Sequence, residues 1–309
     1  MKQIFVNLKR FDVPRSLGGI CPVENPAQWM RSIIDASIEA GLGRLDALRL
    51  VYLPPEALIV PAVEQLGKHP LQDRVGLSIG CQGVYREDIK TGANFGAFTS
   101  NRPAAAMQAL GCAHAMIGHS EERKDKLSML AQYDGLINSD SSLSIKATAV
   151  VESMLNQEVL RALERGMDVL YCVGETQQQK GSGCASEFEP RVRRVLHDQL
   201  TVGLKGIESY KATRSITIGY EPIWAIGPGK TPPDAAYIAF ACGCIKQICQ
   251  QEFGFDPCVV YGGGLKEANA AEIAAVQAVS GGLVALTTFT QPIGFEVESL
   301  VRIVTAYVK

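Results

Sequence analysis

The chain has no excess of charge of either sign, no long apolar run and no glycine-rich turn after its first apolar segment. Thirty Lys and Arg stand against 32 Asp and Glu in 309 residues, a formal net charge of -2. That balance argues against nucleic acid as the main partner and leaves a small anionic ligand open. No run approaches the ~20 apolar residues of a membrane span, so no membrane partner is expected. The start, Met1-Lys2-Gln3-Ile4-Phe5-Val6-Asn7, holds too short an apolar stretch for a signal peptide. A cytoplasmic protein with reduced thiols is therefore expected. The nine cysteines are an odd number. Cys242, Cys244 and Cys249 cluster in an Ala- and Ile-rich helical stretch without a nearby His, which reads as small core residues rather than a metal site. No internal repeat and no linker interrupts the chain, so one domain over residues 1–309 is expected.

What is present is alternation. At 47% hydrophobic residues the chain can bury a sizeable core. Short apolar runs, read as strands, recur at residues 4–7, 48–53, 77–82, 113–118, 169–174, 216–220, 259–261 and 283–287. Amphipathic helical segments lie between them at 29–40, 103–110, 147–164, 189–204, 234–251 and 266–275. Strands alternating with helices imply a parallel α/β sheet covered by its crossovers. Eight such units fit a closed (β/α)₈ TIM barrel, with active groups at the C-terminal ends of the strands. An open doubly wound sheet is the alternative, and it would place a Gly-rich turn after the first strand. That position reads Asn7-Leu8-Lys9-Arg10. Three polar or Pro/Gly-rich stretches, 11–27, 136–145 and 176–186, read as extended loops.

The segment from 219 to 230 carries the most chemistry. A strand ends on the carboxylate of Glu221, and Pro222 stops it. Ile223-Trp224-Ala225-Ile226 then makes an apolar tip, followed by Gly227-Pro228-Gly229-Lys230. A loop greasy at its tip and glycine-rich at its end suits a lid that excludes water and offers backbone N–H groups to an anion. The other strand ends supply Asn7, Lys9, Gln82, His119, Glu121, Glu175 and the glycines 262–264. Around His119 the chain reads Ile117-Gly118-His119-Ser120-Glu121-Glu122-Arg123. Ser120 reads as a helix N-cap with Glu121 and Glu122 in the first turn. The positive end of that helix favours a neutral imidazole, which can donate a hydrogen bond to a substrate oxygen.

Gly118-His119-Ser120-Glu121, together with Tyr220-Glu221-Pro222-Ile223-Trp224-Ala225-Ile226-Gly227, resembles the triosephosphate isomerase family. That family's base, neutral histidine and closing loop are a worked case of environment-tuned acid–base chemistry. Asn7-Leu8-Lys9, Gly96-Ala97-Phe98-Thr99, Cys172-Val173-Gly174-Glu175 and Tyr261-Gly262-Gly263 extend the likeness in the family's order. The resemblance implies Glu221 as a base moving a proton between adjacent carbons of a sugar phosphate, and His119 as the electrophile. It implies Lys9 as a positive charge toward substrate and enediolate, Asn7 as an orienting group, and Glu121 as the holder of Lys9. It further implies a phosphate grip at Gly227, Gly263, Gly264, Ala285 and Leu286, and a homodimer joined through the loop bearing Phe98 and Thr99. Neither metal nor organic cofactor is implied. The expected reaction interconverts dihydroxyacetone phosphate and glyceraldehyde 3-phosphate. The alternatives are the same chemistry on a larger sugar phosphate, such as a tetrulose phosphate, or a non-catalytic phosphate-binding barrel.

The chain departs from the family pattern in four places. Gly264 stands where the family has Ser. Ala285-Leu286 stands where it has Gly-Gly, which adds bulk where close backbone approach is usual. Pro228 stands where Thr is common and removes a donor from the lid. Asn101 and Glu122 stand where the family tends to have an acid and an arginine, which predicts a dimer with rewired polar contacts.

Overall fold

The computed structural model describes residues 1–227 and 229–308. Eight parallel strands close into a barrel in the order of the sequence. They are β1 (Lys2–Asn7), β2 (Leu48–Leu53), β3 (Leu77–Cys81), β4 (His114–Ile117), β5 (Asp168–Val173), β6 (Ile216–Tyr220), β7 (Val259–Tyr261) and β8 (Gly281–Val284). β1 closes the ring, pairing Asn7 with Leu53 on one side and Val6 with Val284 on the other. The period-2 alternation of the strands sorts their side chains into two shells. Phe5, Val51, Leu53, Met116, Leu170, Cys172, Val260 and Leu283 form a cluster of their own, the barrel's interior. Ile4, Val6, Leu50, Tyr52 and their counterparts belong to the larger core beneath the helices. Asn7 shares the parity of Phe5, so its side chain rises at the mouth of the barrel.

The helices are α1 (Pro26–Glu39), α2 (Ile59–Gly67), α3 (Leu71–Arg74), α4 (Ala104–Ala109), α5 (Ser120–Tyr133) and α6 (Ser141–Glu164), followed by α7 (Gln177–Lys180), α8 (Ala185–Gly203), α9 (Ala235–Phe253), α10 (Glu267–Ala274) and α11 (Val297–Val308). Cys242, Cys244 and Cys249 lie on the buried side of α9. Among the described residues no helix is long and apolar enough to cross a membrane.

Several elements correct the sequence reading. The eighth strand begins at Gly281, not at residue 283, because β1 passes so close that a Cβ on Gly281 would lie 1.6 Å from the Gln3 carbonyl oxygen. It ends at Val284, so Ala285 and Leu286 leave the strand instead of belonging to it. The stretch 136–145 is not a loop. A 3₁₀ turn spans Gly135–Asn138, and Asp140 starts α6 by accepting the N–H groups of Ser142 and Leu143 at 2.8 and 3.0 Å. In 176–186, Thr176 and Gln179 form a capping box around α7, and Gly181 ends it. In 11–27, a 3₁₀ turn at Arg15–Leu17 precedes α1, which Asn25 caps. α5 escapes an apolar-periodicity reading because Arg123 is its one buried residue. Its N-cap is His119, with Ser120 already inside the helix.

Candidate active site

The polar residues at the strand ends converge on the mouth of the barrel. Gln82, just past β3, donates to the carbonyls of Leu53 and Lys9 at 3.0 and 2.9 Å and to Asn7 Oδ1 at 3.3 Å. Asn7 Oδ1 also accepts the Lys9 backbone N–H at 2.9 Å. This lattice holds Lys9 at φ 41°, a left-handed conformation that costs a lysine free energy and is kept by its surroundings. The ammonium of Lys9 is thereby aimed across the mouth to Glu121, at 2.6 Å. Burial opposes ionisation of Glu121, but the hydrogen bond and charge of Lys9 outweigh it and hold the carboxyl below its usual range.

His119 follows β4 and caps α5. Its Nδ1 accepts the N–H of Glu121 at 3.3 Å, which assigns the ring proton of a neutral imidazole to Nε2. Nε2 in turn lies 3.2 Å from Glu221 Oε1 and 3.5 Å from Asn7 Nδ2. Glu221, at the end of β6, is 3% exposed. Its other oxygen accepts the Ser120 N–H at 3.0 Å, and Ser120 Oγ stands 3.4 Å from Oε1. The carboxylate therefore rests on the positive end of α5. Glycine is required behind it: a Cβ on Gly174 would sit 1.8 Å from the Glu221 carbonyl oxygen. Lys9, Asn7, Glu121, His119 and Glu221 thus form one connected set.

The lid segment starts from the same place. Ile223–Ala225 is a 3₁₀ turn. Trp224 turns inward and donates its indole N–H to Glu175 Oε1 at 2.7 Å. Glu175 is fully buried at the end of β5 and also accepts the hydroxyls of Tyr237 at 2.7 Å and Tyr220 at 3.1 Å. Burial raises this carboxyl above its usual range, and the three donors offset that in part. Lys180 stands 4.5 Å above the Trp224 ring and 4.9 Å from Phe188. Pro222 and Ala225 are buried, Ile226 is half-buried, and Gly227, Gly229 and Lys230 are exposed. Pro228 lies outside the described residues. Sequence reasoning singled out Glu175 only as a strand end, and it missed Tyr237 and Lys180. The Cys172-Val173-Gly174-Glu175 run was the available signal for Glu175; nothing local marks the other two, which come from helices.

On the far wall, Gly263 is buried and Gly264 is exposed with φ 94°, a conformation that suits glycine. Ala285 and Leu286 follow β8, which pairs with β7, so the two loops are neighbours. The Phe98–Thr99 loop stands apart from this set, with Phe98 packed edge-on against Tyr85 at 5.7 Å and Thr99 exposed. Glu122 makes its polar contacts within its own chain. It accepts the Gly118 N–H at 2.7 Å and pairs with Lys126 at 2.9 Å.

A closed parallel barrel with polar side chains gathered at its strand ends defines the class, a (β/α)₈ barrel. The sequence pattern of the triosephosphate isomerase family matches residues 49–292, and the chain belongs to that family. The triosephosphate isomerase of Chloroherpeton thalassium is 31% identical over 215 residues, 69% of this chain and 71% of the relative. That of Nitratidesulfovibrio vulgaris is 30% identical over 267 residues, 84% of this chain and 91% of the relative. The crystal structure of triosephosphate isomerase from Bartonella henselae superimposes with a TM-score of 0.67 at 22% identity, covering 100% of this chain and 99% of that one, a likeness of fold.

Proposed function

We propose that this protein interconverts dihydroxyacetone phosphate and glyceraldehyde 3-phosphate through an enediolate. The observation that carries the proposal is the 3.2 Å approach of Glu221 Oε1 to His119 Nε2, with the Lys9–Glu121 pair beside it. Glu221 would leave its rest on Ser120, remove a proton from the carbon next to the carbonyl and return it to the neighbouring carbon. The Nε2–H of neutral His119 would donate to the carbonyl and hydroxyl oxygens in turn, and Lys9 would hold the enediolate's negative charge. Asn7 would orient the substrate. Backbone N–H groups of Gly227, Gly263, Gly264, Ala285 and Leu286 would receive the phosphate once the lid from Pro222 to Lys230 has closed. Closure would keep water from the enediolate and suppress loss of its phosphate. The scheme needs only proton transfers and hydrogen bonds, so no cofactor enters it.

The reading takes the whole chain as one barrel domain. It carries with it a homodimer joined through the exposed loop of Phe98 and Thr99, and a cytoplasmic place in glycolysis and gluconeogenesis. A second reading, the same chemistry on a tetrulose phosphate, is favoured by one observation: Leu286 replaces a glycine beside the phosphate grip, so the wall differs in shape. Measuring kcat/KM for glyceraldehyde 3-phosphate against four-carbon ketose phosphates separates the two. Efficient triose turnover is expected. Negligible triose turnover with efficient turnover of the larger ketose would transfer the proposal to the second reading. No turnover of either would favour the non-catalytic barrel.

A further inference from the structure

The turn that delivers His119 is gripped from both sides by consecutive residues of α5. Gly118 takes φ 77° there, a left-handed turn residue between β4 and the helix. Its N–H donates to Glu122 Oε2 at 2.7 Å, and its carbonyl accepts Arg123 Nε at 2.7 Å. Arg123 is anchored by the Cys172 carbonyl at 2.7 Å and by Glu152. Glu122 has a different support. Its Oε1 faces Lys126 Nζ at 2.9 Å, and the same ammonium meets Glu158 Oε1, on α6, at 3.0 Å. Glu158 is 2% exposed, and among the described residues its second carboxyl oxygen is buried without a hydrogen-bond partner.

Two carboxylates around one ammonium leave this half-buried group with a net negative charge and, on buried Glu158, one orphaned oxygen. A single proton on Glu158 removes both faults. A protonated oxygen there would have Glu122 as its acceptor, and the three side chains would then sum to zero charge. Burial, with the negative charge of Glu122 beside it, indeed holds Glu158 well above the usual carboxylate range. Burial also opposes the ionisation of Glu122, but the hydrogen bond from Glu158 and the charge of Lys126 outweigh it and keep Glu122 low. Glu122 is therefore the acceptor of the pair, and its free oxygen is committed to the Gly118 N–H.

We propose that Glu122, supported by Lys126 and by a protonated Glu158, is a positioning residue that fixes the Gly118–His119 turn from within its own subunit. The position that resembled half of an intersubunit charge contact in the sequence serves instead to place the imidazole. The proposal rests on the reading of His119 as the electrophile of the isomerase.

The test reads the imidazole itself, so that it stands apart from turnover. Two-dimensional ¹H–¹⁵N spectra of the histidine rings, with His119 assigned through His119→Gln, report its tautomer and order. In the parent, His119 is expected as a neutral ring with its proton on Nε2. Glu122→Ala should mix the tautomers or broaden the signals, and should lower kcat about tenfold through misplacement of the ring while KM moves less. Glu122→Gln keeps an acceptor for Gly118 and should restore both. Glu158→Gln keeps a donor to Glu122 and should preserve the parental ring signals. The proposal is overturned if Glu122→Ala leaves the His119 signals unchanged, or if Glu122→Gln fails to restore them. A shift in sedimentation mass with unchanged ring signals would return Glu122 to the interface and also overturn it. If the parent turns over no sugar phosphate while the ring signals respond as expected, the isomerase reading fails and the positioning role stands.

Discussion

The indole N–H of Trp224 donates to the buried carboxylate of Glu175 at 2.7 Å, which with the Ile223 N–H on the Glu175 carbonyl at 3.2 Å ties the lid to the mouth of the barrel. Tyr237 and Tyr220 donate to the same carboxylate, at 2.7 and 3.1 Å. Lys180 covers the indole at 4.5 Å from its ring centre. The described pose of the lid is thus defined by polar contacts on the indole as well as by its apolar burial.

Removing the indole donor tests this tie. Trp224→Phe leaves Glu175 with two donors and should destabilise the protein by ~1–3 kcal/mol, the cost of an under-satisfied buried acceptor. Urea denaturation measures it; an unchanged midpoint would show that the bond contributes nothing.

Lys180→Met should loosen the indole without disturbing the core, since a cation–π contact contributes ~0.5–2 kcal/mol. The chain has two tryptophans, and Trp29 is buried, so a Trp29→Phe background leaves Trp224 as the fluorescent reporter. Acrylamide quenching of Trp224 should rise in Lys180→Met and stay near the parental value in Lys180→Arg.

Restoring the family's serine at Gly264 tests the far wall. Nothing lies within 4 Å of a Cβ built there, but φ is +94°. Gly264→Ser should therefore cost about 1–2 kcal/mol of backbone strain without a clash. Gly263→Ala should cost more, because its Cβ would meet the Tyr261 hydroxyl oxygen at 2.1 Å. The reverse order of stabilities would contradict the described wall.

Glu158 makes stability depend on pH. Its carboxyl is pushed up from an ordinary 4.5 to about 9, chiefly by burial and then by Glu122. The folded state therefore holds the proton more tightly than the unfolded chain. The stability this contributes is fully present below about pH 4.5 and is lost as pH rises toward 9. Glu122, held low, acts on the acid side of that window, and Lys126, held high by the two carboxylates despite burial, acts above it. Thermal midpoints of the parent should fall by several degrees, roughly, between pH 6 and pH 9, and Glu158→Gln should flatten that slope. An equal slope in both proteins would place the proton elsewhere.

The barrel was legible in the sequence because each buried strand is a short apolar run separated by helical segments. The run at 216–220 coincides with β6 and that at 48–53 with β2. β8 was misplaced because its first two residues are glycines, demanded by the close passage of β1 and invisible to a hydrophobicity reading. The start of α5 was legible from its polar first turn, one residue off at the cap, but its extent was not, because its apolar face is nearly absent. In the site, Lys9, His119 and Glu221 stood out because they follow strands directly. Tyr237 and Lys180 did not, since helices bring them to Glu175 and Trp224 from other parts of the chain. Glu122 was seen, but its direction was not: whether a first-turn carboxylate faces a neighbouring subunit or its own Gly118 depends on the three-dimensional turn at φ 77°.

The central claim is that Glu221 moves a carbon-bound proton while His119 polarises the adjacent oxygen across their 3.2 Å contact. Isomerisation of dihydroxyacetone phosphate in D₂O, followed by proton NMR, tests it most directly. The parent should produce glyceraldehyde 3-phosphate carrying deuterium at the carbon beside its carbonyl. Glu221→Gln, folded and of parental thermal midpoint, should lose kcat/KM on the order of 10³-fold, the scale of a positioned general base. Absence of deuterium incorporation by the parent, or parental turnover by Glu221→Gln, would contradict the account.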